Sequence, residues 1–262
     1  MRPFLLLATR AEDVAADNEY EAFLAFGGLG EAELHRWRLE ARPLGALDPG
    51  DYSGVILGGG PFNTSDDEGT KSAVQRRVER DLDRLLARVV AVDSPFLGAC
   101  YGIGALGTHQ GAVVDRRHSE PIGAVEITLT PDGRADPLFA HLPDTFEAFV
   151  GHKEAISRLP AHAVRLASSA ACPVQAFRIG TNAYATQFHP ELDVVGLCTR
   201  IEEYKHAGYF DPSEADRLKA EAARSAVVHP PVILRRFVSR YRRSATDAAR
   251  VPDTERAALT AP

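Results

Sequence analysis

The 262 residues include only three cysteines, Cys100, Cys172 and Cys198. So sparse and odd a set builds no disulfide framework, and a reducing compartment is its simplest setting. No apolar run approaches the roughly 18 residues of a membrane-spanning helix. The run at the start, Phe4-Leu5-Leu6-Leu7-Ala8, has strand length only, and Glu12, Asp13 and Asp17 follow at once. A secretory signal needs a longer apolar stretch and a small-residue cleavage site, so the expected location is the cytoplasm. Positive charge is also scarce: 30 Lys and Arg stand against 36 Asp and Glu, a net charge of −6. The chain therefore lacks the overall footprint of a nucleic-acid binder. Nine histidines are scattered, none paired with cysteine at zinc spacing, so no metal is expected. What remains is 45% hydrophobic and 25% charged, which excludes intrinsic disorder, and the length suffices for a sizeable core.

Short apolar runs alternate with amphipathic stretches. Phe4 to Ala8, Trp37 to Leu39, Val55-Ile56-Leu57 and Pro95-Phe96-Leu97 read as strands. Tyr20, Phe23 and Leu24 share a helix face that Gly27-Gly28 ends, and Val74, Val78, Leu82, Leu85, Leu86 and Val89 fall at spacings of three and four, as on a long helix. This alternation predicts a mostly parallel sheet with helices on both faces. From Val113 to Leu129, and again over 163–167, 174–179 and 183–187, the pattern turns to half-exposed strands, a small antiparallel portion. Beyond Thr199 the chain is mostly helical. A helix follows Pro230-Pro231 from Val232 to Tyr241, and 247–262 reads as a loose tail.

Phe96-Leu97-Gly98-Ala99-Cys100-Tyr101-Gly102 joins a buried strand to a helix through Gly-x-Cys-x-Gly, the form of a nucleophile elbow with cysteine in place of serine. Small residues allow a tight turn, and the helix N-terminus favours an anionic sulfur. A free cysteine is otherwise most often a packing residue. A thiol nucleophile needs a base, and the base an orienting group. Gln187-Phe188-His189-Pro190-Glu191 offers both after another strand. Gly58-Gly59-Gly60-Pro61, after a third strand, lets backbone amides approach a ligand and bind an oxyanion together with the amide of Tyr101.

In order and spacing these three motifs resemble the class I (triad) glutamine amidotransferases, in particular the glutaminase domain of GMP synthases and its stand-alone relatives. Gly151-His152-Lys153-Glu154, Cys172-Pro173-Val174 and the helix at Ile233-Leu234-Arg235-Arg236-Phe237 resemble further segments of that domain. The resemblance covers residues 3–192 and 230–241. It implies a flavodoxin-like α/β fold and a Cys100–His189–Glu191 triad acting on glutamine, with no cofactor. Gly59, Gly60, Tyr101, Gly151 and His152 would be the oxyanion and substrate contacts. It also implies a synthetase partner for the ammonia released. One departure is Gly104, where the family commonly has a Gln that helps hold the substrate's amino-acid end; space there would suit a γ-glutamyl hydrolase or peptidase with a larger substrate. A second departure is the segment 194–229, expected as a helical insertion that caps the site or meets a partner. Residues 1–246 are then expected as one such domain, without room for a synthetase. A non-catalytic regulatory module on the same fold is a further alternative, which the intact triad opposes.

Two other motifs fall away. Gly102-x-Gly104-x-x-Gly107 with Glu126 downstream has the form of a dinucleotide fingerprint, but Gly111 would end the helix early and Glu126 sits inside an alternating strand. Gly69-Thr70-Lys71-Ser72 lacks the Gly-Lys adjacency of a phosphate loop. The arginines at 235, 236, 240, 242 and 243 read as a helix face and its tail.

Overall fold

A computed structural model of the chain describes residues 2–243; the expected tail lies outside the described residues. The elements run β1 (Phe4–Ala8), α1 (Asp13–Gly27), β2 (Leu34–Arg38), β3 (Val55–Leu57), α2 (Ala73–Ala91), β4 (Phe96–Ala99), α3 (Tyr101–His109), β5 (Val113–Asp115), β6 (Glu120–Leu129), α4 (Pro131–Ala135), β7 (Thr145–His152), β8 (Ala155–Arg158), β9 (Val164–Ser168), β10 (Ala176–Ile179), β11 (Ala183–Thr186), α5 (Val194–Glu203), α6 (Ala215–Ala222) and α7 (Pro231–Tyr241). Nine strands form one sheet in the order β2-β1-β3-β4-β11-β10-β9-β6-β7, and β5 pairs with β8 in a small second sheet. Pairings from β2 to β11 are parallel, and those beyond β11 are antiparallel.

Helices cover both faces of the parallel half, as expected from the alternating pattern. Strand side chains point to opposite faces in turn. Phe4 and Leu6 of β1 pack with Phe23 of α1 and with Ile233, Leu234 and Phe237 of α7. Leu5 and Leu7 pack on the other side with Val78, Leu82 and Leu85 of α2 and with Ile103 and Leu106 of α3. The ends of these helices follow local chemistry. The Ser72 hydroxyl caps α2 by accepting from the Gln75 amide at 3.0 Å, and Gly28, at φ 63°, closes α1 in a left-handed conformation that costs glycine little. Pro231 opens α7, where its missing N–H has no partner to lose.

Parallel packing delivers three strand ends to one edge. Leu57 pairs with Gly98, and Ala99 pairs with Thr186, so the glycine run, Cys100 and the 187–191 segment leave the sheet side by side. The segment 194–229 is helical, as expected. Leu197 and Ile201 of α5 and Leu218 and Ala222 of α6 form a separate apolar cluster over Phe149 and Leu192. Strand β7 has no counterpart in the sequence pattern. Phe146, Ala148 and Val150 join the main core on one face, while on the other Phe149 packs under the inserted helices beside Thr145 and Glu147, so the run Ala148-Phe149-Val150 interrupts the alternation. Among the described residues no helix is long and apolar enough to cross a membrane.

Candidate active site

Cys100 stands at φ 52° and ψ −95°, one of two non-glycine residues with positive φ among those described. Such a conformation costs on the order of 1–3 kcal/mol and persists only where the surroundings impose it. Here they do. The Cys100 amide donates to the Thr186 carbonyl at 2.8 Å, which ties the elbow to β11. A Cβ at position 98 would lie 2.8 Å from the backbone of Gly102, so only glycine lets α3 turn back this closely over β4. The sulfur thus sits at the N-terminus of α3, where the helix dipole favours negative charge.

His189 and Glu191 follow β11 through Pro190, and the His189 amide donates to the Phe149 carbonyl at 3.2 Å. Glu191 is fully buried and His189 is 6% exposed. The ring Nδ1 lies 2.8 Å from Glu191 Oε1, which assigns the Nδ1 proton to that bond and leaves Nε2 for the sulfur. Burial alone would lower the imidazole pKa, but Glu191 and then Cys100 outweigh it and push it up to about 9. Burial works against the Glu191 carboxylate too, yet His189 and Arg200 hold it well below the usual carboxylate range.

Gly59 lies beneath this pair. Its missing Cβ would be 2.6 Å from His189 Cε1 and 3.4 Å from Cys100 Cβ, so the backbone approaches both side chains as no other residue could. The Thr9 hydroxyl donates to the Gly59 carbonyl at 3.0 Å. In a trans peptide the next N–H points the opposite way, so the Gly60 amide is turned from Thr9, and Gly60 lines the cavity beside Cys100. Tyr101 is the first residue of α3, and its amide is among those the helix leaves unpaired. Its ring is buried, edge-on to Phe62 at 5.9 Å.

Gly151 lines the same cavity, but the His152 ring is engaged on both sides. Nδ1 meets the Glu154 carbonyl at 2.9 Å and Nε2 meets Glu120 Oε2 at 2.9 Å, so the ring braces the 151–154 segment. Glu120 and His152 approach Cys172, whose thiol burial pushes up to about 12. Ser169 and Gln175 also donate to Glu120, which makes this cluster a hydrogen-bonded part of the core. Position 104 differs from expectation. A Cβ there would meet Glu154 Oε1 at 3.0 Å and Thr64 Oγ1 at 3.1 Å, so the absent side chain opens no space. Glu154 fills it while accepting from the amides of Thr64 at 2.8 Å and Ser65 at 2.7 Å.

The cavity beside Cys100 is small, about 50 Å³, and Tyr204 and Tyr209 from the inserted segment line it. Lys153 Nζ lies 4.1 Å from the centroid of the Tyr209 ring, joining the 151–154 segment to the inserted one. A larger cleft of about 680 Å³ lies between α2 and α3 and reaches Tyr101, but neither Cys100 nor His189 lines it. Size therefore does not locate the chemistry here.

The motifs do not include three buried charges beside Glu191: Arg10, Glu19 and Arg200. Arg200 Nη2 donates to Glu191 Oε1 at 2.9 Å and lies 3.5 Å from Glu19 Oε1, and Arg10 Nε donates to Glu19 at 3.1 Å. Arg10 also donates to the Tyr204 hydroxyl at 3.0 Å. The sequence carried a usable signal. Leu197, Arg200, Ile201 and Tyr204 share one helix stripe, as do Ala15, Ala16, Glu19 and Phe23. A charge in an apolar stripe needs a buried partner.

The sequence profile of the family described as "Glutamine amidotransferase class-I" matches residues 24–195. A glutamine-hydrolyzing GMP synthase of Christiangramia forsetii is 31% identical over 148 residues, 55% of this chain and 26% of its own length. One from Bacillus mycoides is 28% identical over 162 residues, 62% of this chain and 28% of its own length. The chain thus spans about a quarter of the length of the curated relatives it matches. A crystal structure of a glutamine amidotransferase from Thermotoga maritima superposes over 93% of this chain and 100% of its own, with a TM-score of 0.74 at 22% identity, and so shows the same fold. With a Cys, His and Glu cluster at the strand ends where the fold gathers them, the chain belongs to the class-I glutamine amidotransferase family.

Proposed function

We propose that the protein hydrolyses the side-chain amide of glutamine through a γ-glutamyl thioester on Cys100. The Cys100 sulfur attacks the amide carbon. The amides of Gly60, Gly59 and Tyr101 take the developing oxyanion, and His189, oriented by Glu191, protonates the departing nitrogen. Ammonia leaves, His189 deprotonates a water that attacks the thioester, and glutamate is released. The observation that carries this reading is the single point above Gly59 that lies within contact distance of both His189 and Cys100, beneath a helix N-terminus.

GMP synthase relatives named as glutamine-hydrolyzing support glutamine as the substrate. By the same likeness the ammonia acceptor is a synthetase activity outside these 262 residues, residues 1–246 act as one glutaminase unit, and the setting is cytoplasmic, where Cys100 stays reduced. A larger γ-glutamyl substrate loses its motivating observation, because Glu154 and Thr64 occupy the space at Gly104. The test is release of ammonia and glutamate from glutamine by the purified chain. Cys100→Ala is expected to abolish it, and an undiminished rate in that variant overturns the proposal.

A further inference from the structure

Arg200 lies beyond the residues that match the family, on an inserted helix, yet it reaches the centre of the site. Its Nη2 donates to Glu191 Oε1 at 2.9 Å, the oxygen that also accepts from His189 Nδ1 at 2.8 Å, and its Nη1 is 3.0 Å from that nitrogen. Arg200 is 6% exposed, Glu191 and Glu19 are fully buried, and Glu191 Oε2 has no hydrogen-bond partner among the described residues. We propose that Arg200 is a positioning residue of the triad: it keeps Glu191 ionised and aimed at His189 through every stage of a turnover, which makes the inserted helix α5 a part of the reacting site.

The proposal rests on the amide-hydrolysis reading, in which His189 alternates between imidazolium and neutral imidazole. A carboxylate removed from water takes up a proton unless a cation stays beside it. When His189 is neutral, His189 supplies no such cation. Arg200 does, since a guanidinium does not lose its proton in this range. Around the Cys100–His189 pair, Arg10, Glu19, Arg200 and Glu191 balance to zero, so moving a proton within the pair exposes no unpaired buried charge. Arg200 also tempers the base. Its fixed positive charge opposes the stabilisation of the imidazolium by Glu191 and Cys100. The groups around the ring are Cys100 from the β4–α3 turn, Glu191 on its own loop, Arg200 of α5, Tyr204 and Tyr209 beyond it, Arg10 after β1, and Glu19 of α1 behind Arg200.

The test uses the full chain with Arg200→Gln, Arg200→Lys and Glu19→Gln. Glutaminase kcat and KM are measured against pH, together with the pH dependence of Cys100 alkylation by iodoacetamide followed by peptide mass. In Arg200→Gln the upper limb of kcat is expected to move up by about one pH unit, the scale set by one elementary charge a few ångströms away. kcat near neutrality falls about tenfold, the factor that goes with one unit of mispoised base, while KM stays near the wild-type value. Arg200→Lys restores the limb and most of kcat, and Glu19→Gln moves the limb down. Unchanged kcat and limb in Arg200→Gln, or a lysine variant as impaired as the glutamine one with an unmoved limb, assigns Arg200 to packing and overturns the proposal. If Arg200→Gln fails to fold, the proposal rests on the other two variants: the limb moves down in Glu19→Gln and stays in place in Arg200→Lys, and an unmoved limb in Glu19→Gln overturns it. The alkylation profile follows the His189 imidazolium without turnover. It therefore tests Arg200 even if the wild-type chain proves inactive on glutamine, the result that would count against the hydrolysis reading instead.

Discussion

Replacing Gly59 by alanine tests the geometry where backbone, base and nucleophile meet. The new Cβ would stand 2.6 Å from His189 Cε1, 3.0 Å from Arg10 Nη2 and 3.4 Å from Cys100 Cβ. Carbon contacts settle near 3.5–4.0 Å, so the imidazole must retreat by about 1 Å. Its Nδ1 bond to Glu191, now 2.8 Å, cannot follow while Glu191 is held by Arg200 at 2.9 Å. A displacement of about 1 Å in a reacting group costs on the order of 100-fold, or about 2.7 kcal/mol of transition-state stabilisation. Overpacking itself costs about 1–3 kcal/mol of folding stability, a loss of roughly 2–12 °C in Tm for a chain of this size. Steady-state glutamate release and a thermal melt measure the two separately. Gly69→Ala, where no atom lies within 4 Å of the new Cβ, is the control and keeps wild-type rates. A Gly59→Ala enzyme within twofold of wild-type kcat would refute the placement of His189 over Gly59.

Further outcomes follow from the same contacts. Gly104→Gln adds a side chain where even a Cβ would meet Glu154 at 3.0 Å and Thr64 at 3.1 Å; we expect about 1–3 kcal/mol of destabilisation and no fall in KM for glutamine, checked by denaturant titration and steady-state kinetics. Gly98→Ala cannot form the turn without displacing α3, so loss of soluble protein or of Cys100 alkylation is expected, and normal labelling would contradict the elbow. The His189 pKa is raised from the usual 6.5 to about 9 in the folded chain. Its contribution to stability is therefore complete below pH 6.5 and lost as pH rises through about 9, and up to about 3 kcal/mol of denaturant-measured stability should disappear over that interval but not in His189→Asn.

The alternation of strands and helices was legible because parallel strands buried on both faces read as short apolar runs, as in Phe4 to Ala8 and Val55 to Leu57. The cluster of Cys100, His189 and Glu191 was legible because each residue follows a strand end with its own local signature: glycines around Cys100, and Pro190 between His189 and Glu191. Strand β7 was not, since the inserted helices bury Phe149 on its second face and the run Ala148-Phe149-Val150 breaks the alternation that a half-exposed strand shows. Nor was the occupant of the space beside Gly104, because Glu154 reaches it from a distant segment through tertiary contacts. Arg200 lies between these cases. Its place in an apolar stripe marks it as buried, but only the fold shows that its partner is Glu191.

Acid-quenched mass spectrometry of the enzyme mixed with glutamine tests the covalent step on Cys100 directly. A γ-glutamyl group is expected on the peptide that carries Cys100, formed before glutamate accumulates and absent in Cys100→Ala. Glutamate production with no adduct on Cys100, or an adduct on Cys172 or Cys198 instead, would contradict it.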